Sequence, residues 1–333
     1  MDPLPVTGDP ASVVGTVRRW LDAADPPPLV VETSGSTGSP KRVLLPRAAV
    51  LASVSATARR LGTEGRWALR LPASYVAGLQ VVVRSLVAGH DPVLDGWGPD
   101  DEPATLTSLV PTQLLRLLDD PAEVERLAAM DAVLLGGGPV DPALRSRAAD
   151  LGVTVVATYG MAETCGGCVY DGFALDGVAV AIGAGGRVRL GGPTLFAGYD
   201  GDPALTDEVL VDGWFLTSDA GRLDEDGRLH VLGRLDDVVV SGGVNVPTPE
   251  VAARLREHPD VADAACVGVP DDEWGNRVVA FVVGGLDLGA ARDWVSAVHP
   301  RSWAPRELHV VEDLPLLANG KLDRLALQER ARG

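Results

Sequence analysis

Thr33-Ser34-Gly35-Ser36-Thr37-Gly38-Ser39-Pro40-Lys41 follows an apolar run, Leu29 to Val31, and so reads as a loop leaving the end of a strand. Its residues are small and rich in hydroxyls. That composition lets backbone N–H and side-chain O–H groups crowd around phosphate oxygens, while Lys41 adds a compact positive charge. A Walker A loop would place Gly-Lys-Ser/Thr after the spacer that follows Gly35. The chain offers Pro40-Lys41-Arg42 instead, which disfavours a P-loop nucleoside triphosphatase.

Lys41 and Lys321 are the two lysines of a chain of 333 residues, beside 27 arginines. Both lie in glycine-rich sequence. A chain that meets nearly every need for positive charge with arginine retains lysine where a compact ammonium serves better than a planar guanidinium, as next to a phosphate.

The remaining composition narrows the function. A net charge of −17 disfavours a non-specific binder of nucleic acid or of an anionic membrane, either of which needs a basic face, so a phosphorylated ligand needs a local positive site. The start, Met1-Asp2-Pro3-Leu4-Pro5, lacks a basic patch followed by an apolar stretch, and no run is apolar for long enough to span a bilayer. The expected location is the cytoplasm. Cys165 and Cys168 have the spacing of half a zinc site or of a redox pair, but Cys266 is isolated and His90, His230, His258, His299 and His309 do not cluster. Cysteines lining a pocket wall are the expectation.

Helical patterns such as Pro46 to Leu61 and Pro121 to Met130 alternate with short apolar runs, Trp67 to Leu71, Ala132 to Leu135 and Val153 to Ala157. That alternation predicts a layered α/β domain. From about Gly183 the texture turns to short β-type segments broken by glycine pairs: Gly186 to Leu190, Gly213 to Thr217 and Arg228 to Gly233. After Asp236 follow Val238-Val239-Val240, a Gly242-Gly243 turn, a helix from Thr248-Pro249-Glu250, a strand over Ala280 to Val283 and a helix over Ala290 to Val298. The expected organisation is a large layered α/β domain over 1–235, β-rich from about 183, and a small α+β domain over 236–333.

Five segments in order carry a resemblance: the 33–41 loop; Thr158-Tyr159-Gly160-Met161-Ala162-Glu163-Thr164; Trp214-Phe215-Leu216-Thr217-Ser218-Asp219; Gly233-Arg234-Leu235-Asp236-Asp237 with Ser241-Gly242-Gly243; and Pro315 to Arg324 around Gly320-Lys321. Together they are similar to the motifs of the adenylate-forming superfamily of acyl-CoA synthetases, luciferases and peptide-synthetase adenylation domains. The resemblance implies an enzyme using ATP, Mg²⁺ and coenzyme A, with a mobile C-terminal lid. By that resemblance Thr33, Ser34, Gly35, Ser36, Thr37, Gly38 and Lys41 hold phosphates, and Gly137 lies at the nucleotide. Tyr159 packs on adenine, Thr164 touches the α-phosphate, Asp219 binds the ribose and Arg234 reaches the ribose or phosphates. Glu163 holds Mg²⁺, which is chemically apt for a hard cation beside phosphates. Asp236 is the pivot between domains, Lys321 the catalytic lysine, and Gly242 and Gly243 the side of the lid that meets CoA. Thr-Ser-Asp at 217–219 departs mildly from the usual Thr-Gly-Asp.

The acid is addressed by Leu71 to Arg84, an apolar run ending in one arginine. A buried arginine needs an anion or several carbonyls, so Arg84 is either an internal ion pair or the receptor of a second carboxylate on the acid. This run, with Leu109 to Leu118, Val133 to Pro139 and the Glu163 to Gly172 continuation, resembles the o-succinylbenzoate:CoA ligases of menaquinone biosynthesis, which implies that Tyr75, Arg84 and Gly160 line the acid pocket. Ser74-Tyr75 replaces the aromatic-plus-His pair usual there, Ala77 replaces a small hydroxyl residue, and the N-terminal part is short for the superfamily. Another aromatic or medium-chain carboxylate:CoA ligase is the alternative. A peptide-synthetase adenylation domain would call for an aspartate near 74–76, which is lacking, and a non-catalytic nucleotide-binding regulator would not need all five motifs. Expected partners are the acid, ATP and CoA, with no nucleic acid and no membrane insertion; assembly as a homodimer stays open.

Overall fold

The computed structural model describes residues 2–33, 40–99, 101–315 and 322–332, the side chain of Asp236 excepted. The chain divides into two compact units, Met1–Ala181 with Arg189–Thr217 and Leu223–Leu229, and Ile182–Val188 with Ser218–Arg222 and His230–Gly333.

The first unit opens with β1 (Leu4–Pro5), α1 (Pro10–Asp22), β2 (Leu29–Glu32), β3 (Arg42–Leu45) and α2 (Arg47–Leu61). Alternating elements follow: β4 (Trp67–Ala68), α3 (Val76–Val87), β5 (Leu106–Leu109), α4 (Pro111–Leu117), α5 (Pro121–Ala128), β6 (Ala132–Leu135), α6 (Pro142–Asp150), β7 (Val155–Met161), β8 (Gly166–Tyr170) and β9 (Phe173–Ala174). Strands β4 to β9 form one sheet in sequence order, parallel from β4 to β7 and antiparallel from β7 to β9. All four residues of β5 and of β6 are buried, as central parallel strands covered on both faces must be. Each buried leucine there contributes roughly 1.5–3 kcal/mol. Helix α3 is buried along Gly78 to Ser85. Gly78 permits this, because a Cβ there would stand 2.2 Å from the Pro72 carbonyl oxygen.

The expected helix over Pro46 to Leu61 is α2, with Pro46 at its N-cap and Gly62 closing it in the left-handed region at φ 70°. Strand β2 pairs antiparallel with β3, Leu29 opposite Leu45 and Glu32 opposite Arg42, so the 33–41 loop joins the two strands of a hairpin before the helix begins.

The β-rich stretch holds β10 (Ala179–Ile182), β11 (Arg187–Gly191), β12 (Gly198–Tyr199), α7 (Pro203–Val209), β13 (Leu210–Val211), β14 (Trp214–Leu223) and β15 (Leu229–Arg234). Within the first unit β12 adds to the β2–β3 hairpin, Tyr199 opposite Val43.

In the second unit, β16 (Val238–Ser241) and β17 (Val244–Pro247) form a hairpin whose two loop residues are Gly242 at φ 57° and Gly243 at φ 78°, the left-handed pair that a tight hairpin turn demands. Next come α8 (Thr248–Arg256), β18 (Val261–Asp271), β19 (Gly275–Gly284), α9 (Leu288–Ser296), β20 (Glu307–Val310) and α10 (Arg324–Arg330). Alternation along β18 builds two cores. Ala264 and Cys266 pack with Val251 and Leu255 of α8 and Val295 of α9, while Ala265, Val267 and Val269 pack with Leu327 of α10.

Candidate active site

Thr33 and Lys41 close the phosphate-type loop at its base: the Thr33 N–H donates to the Lys41 carbonyl at 2.9 Å, and the Lys41 N–H donates to Thr33 Oγ1 at 3.3 Å. Ser34, Gly35, Ser36, Thr37, Gly38 and Ser39 lie outside the described residues. The Lys41 ammonium stands 5.2 Å from the ring centre of Tyr199, within cation–π range. The hydroxyl of that tyrosine donates to Glu163 Oε1 at 2.8 Å. One aromatic residue thus joins the loop lysine to the carboxylate expected to hold Mg²⁺. Burial, reinforced by the negative charge of Glu163, holds the Tyr199 phenol above its ordinary range, so it acts as a fixed donor.

Glu163 reaches this position through the shape of β7. Val155 to Ala157 pair parallel with β6, Thr158 onward pair antiparallel with β8, and the register breaks between Tyr159 and Gly160. A Cβ on Gly160 would lie 2.1 Å from the Gly166 carbonyl oxygen, so only glycine fits. Ala162, Glu163 and Thr164 form one 3₁₀ turn, Cys165 reverses the chain in the left-handed region, and β8 begins. Thr164 Oγ1 accepts from the Met161 N–H at 2.9 Å and donates to the Gly166 carbonyl at 2.7 Å, tying off the turn. The Phe196 N–H donates to the Glu163 carbonyl at 2.9 Å. Gly136-Gly137 approach the same strand: a Cβ on Gly136 would meet Thr158 Oγ1 at 2.4 Å, and Gly137 turns at φ 80°.

No group of three or more His, Cys, Asp or Glu able to hold a metal occurs among the described residues. A single buried carboxylate suits Mg²⁺, which keeps waters and shares itself with substrate phosphates. Cys165 and Cys168 are buried without a disulfide, and burial pushes the Cys168 thiol up to about 12 and that of Cys165 higher still. Cys165 belongs to the main apolar core.

In the second unit Arg234 Nε lies 3.8 Å from Asp219 Oδ1. Arg324, from the C-terminal motif, forms an ion pair with Asp237, the residue after the expected pivot, and Thr248 Oγ1 donates to the Asp237 carbonyl at 2.8 Å. Lys321 and the Asp236 side chain lie outside the described residues.

Arg84 lies in the last turn of helix α3. Helix α3 follows β4, so it begins at the carboxyl ends of the parallel strands, where Tyr75 caps it, and runs back toward their amino ends. Its last turn, with Arg84, sits beside Gly65 and Trp67. The guanidinium is buried; its Nη2 donates to Thr57 Oγ1 at 3.2 Å and Tyr170 Oη at 3.4 Å, and it stacks 5.1 Å from the Trp67 ring centre. Among the described residues no carboxylate pairs with it. Among the described residues hydroxyls and a ring, rather than an internal ion pair, hold Arg84, which supports a structural reading of this arginine. Arg84→Met is expected to leave KM for the acid within about threefold, while Arg84→Ala, which also leaves a cavity, costs about 2–4 kcal/mol of stability. A tenfold rise in KM for a dicarboxylic acid alone in Arg84→Met would restore the substrate role.

Tyr199 is the functional residue that the sequence did not expose. Gly198-Tyr199-Asp200-Gly201 has the composition of a turn, and only the pairing of β12 with β3 brings its aromatic ring to Lys41.

This fold and this loop–carboxylate pair define an enzyme that handles nucleotide phosphates. Residues 19–199 match the family model described as AMP-binding enzyme, and residues 250–321 match the AMP-binding enzyme C-terminal domain. The chain belongs to the AMP-binding enzyme family. Among its relatives, a probable 2-succinylbenzoate–CoA ligase of Mycobacterium tuberculosis is 45% identical over 97% of this chain and 89% of its own length. The 2-succinylbenzoate–CoA ligase of Bacillus licheniformis is 32% identical over 95% of this chain and 75% of its own. Among solved structures, the o-succinylbenzoate CoA synthetase of Bacillus subtilis in complex with its acyl-adenylate intermediate superposes with a TM-score of 0.78 at 28% identity, covering 90% of this chain and 68% of that one.

Proposed function

We propose that this protein joins o-succinylbenzoate to coenzyme A at the expense of ATP through an acyl-adenylate, in menaquinone biosynthesis. The observation that carries the choice of acid is the 45% identity to the M. tuberculosis ligase over nearly the whole chain. Fold likeness alone does not choose the acid, because ATP-bound MatB of Rhodopseudomonas palustris superposes equally well, with a TM-score of 0.78 at 26% identity.

In the first half-reaction a carboxylate oxygen attacks the α-phosphorus of ATP, the bond to the β-phosphate breaks, and pyrophosphate leaves. An anion approaches an anion, so the site works by positioning and positive charge more than by acid–base groups. Lys41 and the 33–41 loop hold the departing phosphates. Glu163 holds Mg²⁺, which supplies charge compensation for the phosphates when bound. Tyr159, Gly137 and Thr164 bracket the nucleotide, Asp219 and Arg234 its ribose, and Lys321 the α-phosphate and the attacking carboxylate. Tyr75 and Gly160 border the acid. In the second half-reaction the CoA sulfur attacks the acyl carbon, AMP leaves, and the thiol proton passes to solvent. The lid comprises 236–333 and pivots at Asp236, presenting Gly242 and Gly243 to CoA.

No helix among the described residues is long and apolar enough to cross a membrane. Location in the cytoplasm, where ATP and CoA are supplied, belongs to this proposal; light scattering decides between monomer and homodimer. The test of function is a coupled assay of pyrophosphate and thioester with ATP, Mg²⁺ and CoA. o-Succinylbenzoate is expected to turn over at least about 100-fold faster than benzoate or octanoate in kcat/KM, some 2.7 kcal/mol of discrimination. Equal use of benzoate would move the enzyme to another aromatic acid.

A further inference from the structure

Cys165, directly after Glu163-Thr164, has φ 51° and ψ 39°. The other described non-glycine residues with positive φ are Asp171 and Asp212, a residue type that tolerates this region through local hydrogen bonding; cysteine has no such aid. Its conformation must be held from outside. The Cys165 carbonyl accepts two side-chain hydrogen bonds, from Ser53 Oγ of α2 at 3.1 Å and from Gln80 Nε2 of α3 at 2.8 Å. Both donors are fully buried, Ser53 at 0% and Gln80 at 1% exposure.

Gln80 is a poor choice for the core alone. Its Oε1 is buried without a hydrogen-bond partner, and an orphaned acceptor is a penalty that leucine or methionine in the same space would avoid. The amide cannot turn over to relieve it, since that would set oxygen against the Cys165 carbonyl oxygen. What the residue secures is the orientation of one peptide. That peptide, between Cys165 and Gly166, directly follows the turn carrying Glu163; the peptide before it closes the turn, its Cys165 N–H donating to the Ala162 carbonyl at 3.0 Å.

We propose that Ser53 and Gln80 are positioning residues: they clamp the Cys165 carbonyl, keep this residue left-handed, and thereby fix the Glu163 carboxylate for Mg²⁺ and the Thr164 turn beside the nucleotide. This rests on the function proposed above. Without the clamp, residue 165 relaxes to an ordinary conformation and the preceding turn rotates away from Tyr199.

The test uses Gln80→Met, which keeps the volume and removes the donor. Calorimetric titration of Mg²⁺·ATP needs no acid: the parent binds, and Q80M binds about tenfold more weakly, equivalent to about 1.4 kcal/mol, with a melting temperature equal to or above the parent's. Steady-state assays show a raised Mg²⁺ requirement with KM for the acid unchanged within about twofold. Adding Cys165→Gly in the same chain restores Mg²⁺·ATP binding to within about threefold, because glycine holds the left-handed conformation unaided. Ser53→Ala, a smaller change, gives the same pattern at lower amplitude. A parent that fails to bind Mg²⁺·ATP would overturn the functional reading. A parent that binds, with Q80M binding equally well or with C165G failing to rescue it, would overturn the clamp alone.

Discussion

Glu163→Gln lowers the rate of pyrophosphate release about 100- to 1,000-fold at saturating ATP, a loss of roughly 2.7–4 kcal/mol of transition-state stabilisation. The substitution is chosen for what it keeps. A carboxamide has the shape of the carboxylate and its oxygen still accepts from the Tyr199 hydroxyl, which now stands 2.8 Å from Oε1, so the packing of a buried position is retained. What disappears is the negative charge that competes for Mg²⁺ against water. The deficit should therefore shrink only partly as Mg²⁺ is raised, while the melting temperature stays within a few degrees of the parent's. Tyr199→Phe separates charge from orientation: the carboxylate remains but loses its donor, and the expected loss is about tenfold, with the Mg²⁺ requirement shifted in the same direction. Both are read in a pyrophosphate-coupled assay with Mg²⁺ titrated at fixed ATP. Retention of a third of parental activity by Glu163→Gln would remove this residue from the metal site.

Lys41 and Glu163 stood out as candidates in the sequence because phosphate and Mg²⁺ chemistry restricts residue type over a short span. A hydroxyl- and glycine-rich loop ending in lysine has few other uses, and the Tyr-Gly turn before Glu163 carries its own steric requirement at Gly160. The layered fold was legible for a similar reason: β6 falls on Ala132–Leu135, where the apolar run placed it. Direction in space was not legible. Arg84 ends an apolar run, and only the folded chain shows that this run is a helix whose last turn sets the arginine among Thr57, Tyr170 and Trp67. Tyr199 and Val43 meet across 156 positions of sequence, and Arg324 and Asp237 across 87. Such pairings leave no periodic trace. Strand β3 carried no clear signal either: Arg42 to Leu45 is too short for alternation to declare itself beside the glycine loop.

Lys321→Ala should separate the two half-reactions. In adenylate formation two anions approach and charge gathers on the non-bridging oxygens of the α-phosphate, so an ammonium that bridges carboxylate and phosphate acts where charge develops. In thioester formation the acyl-adenylate already exists, its carbonyl is activated by the phosphate leaving group, and the same ammonium would obstruct the approach of the pantetheine arm. One lysine cannot serve both steps from one position, which is why the lid is expected to turn at Asp236 between them. The expected outcome is a loss of about 1,000-fold or more in pyrophosphate release from ATP and o-succinylbenzoate, with conversion of supplied o-succinylbenzoyl-adenylate and CoA to thioester within about fivefold of the parent. Lys321→Arg keeps the charge but replaces a compact ammonium with a planar fork, and should recover little of the first step. That result would account for a lysine at 321 in a chain that uses arginine 27 times. Equal losses in both half-reactions would instead make Lys321 a general phosphate ligand and remove the need for a turning lid.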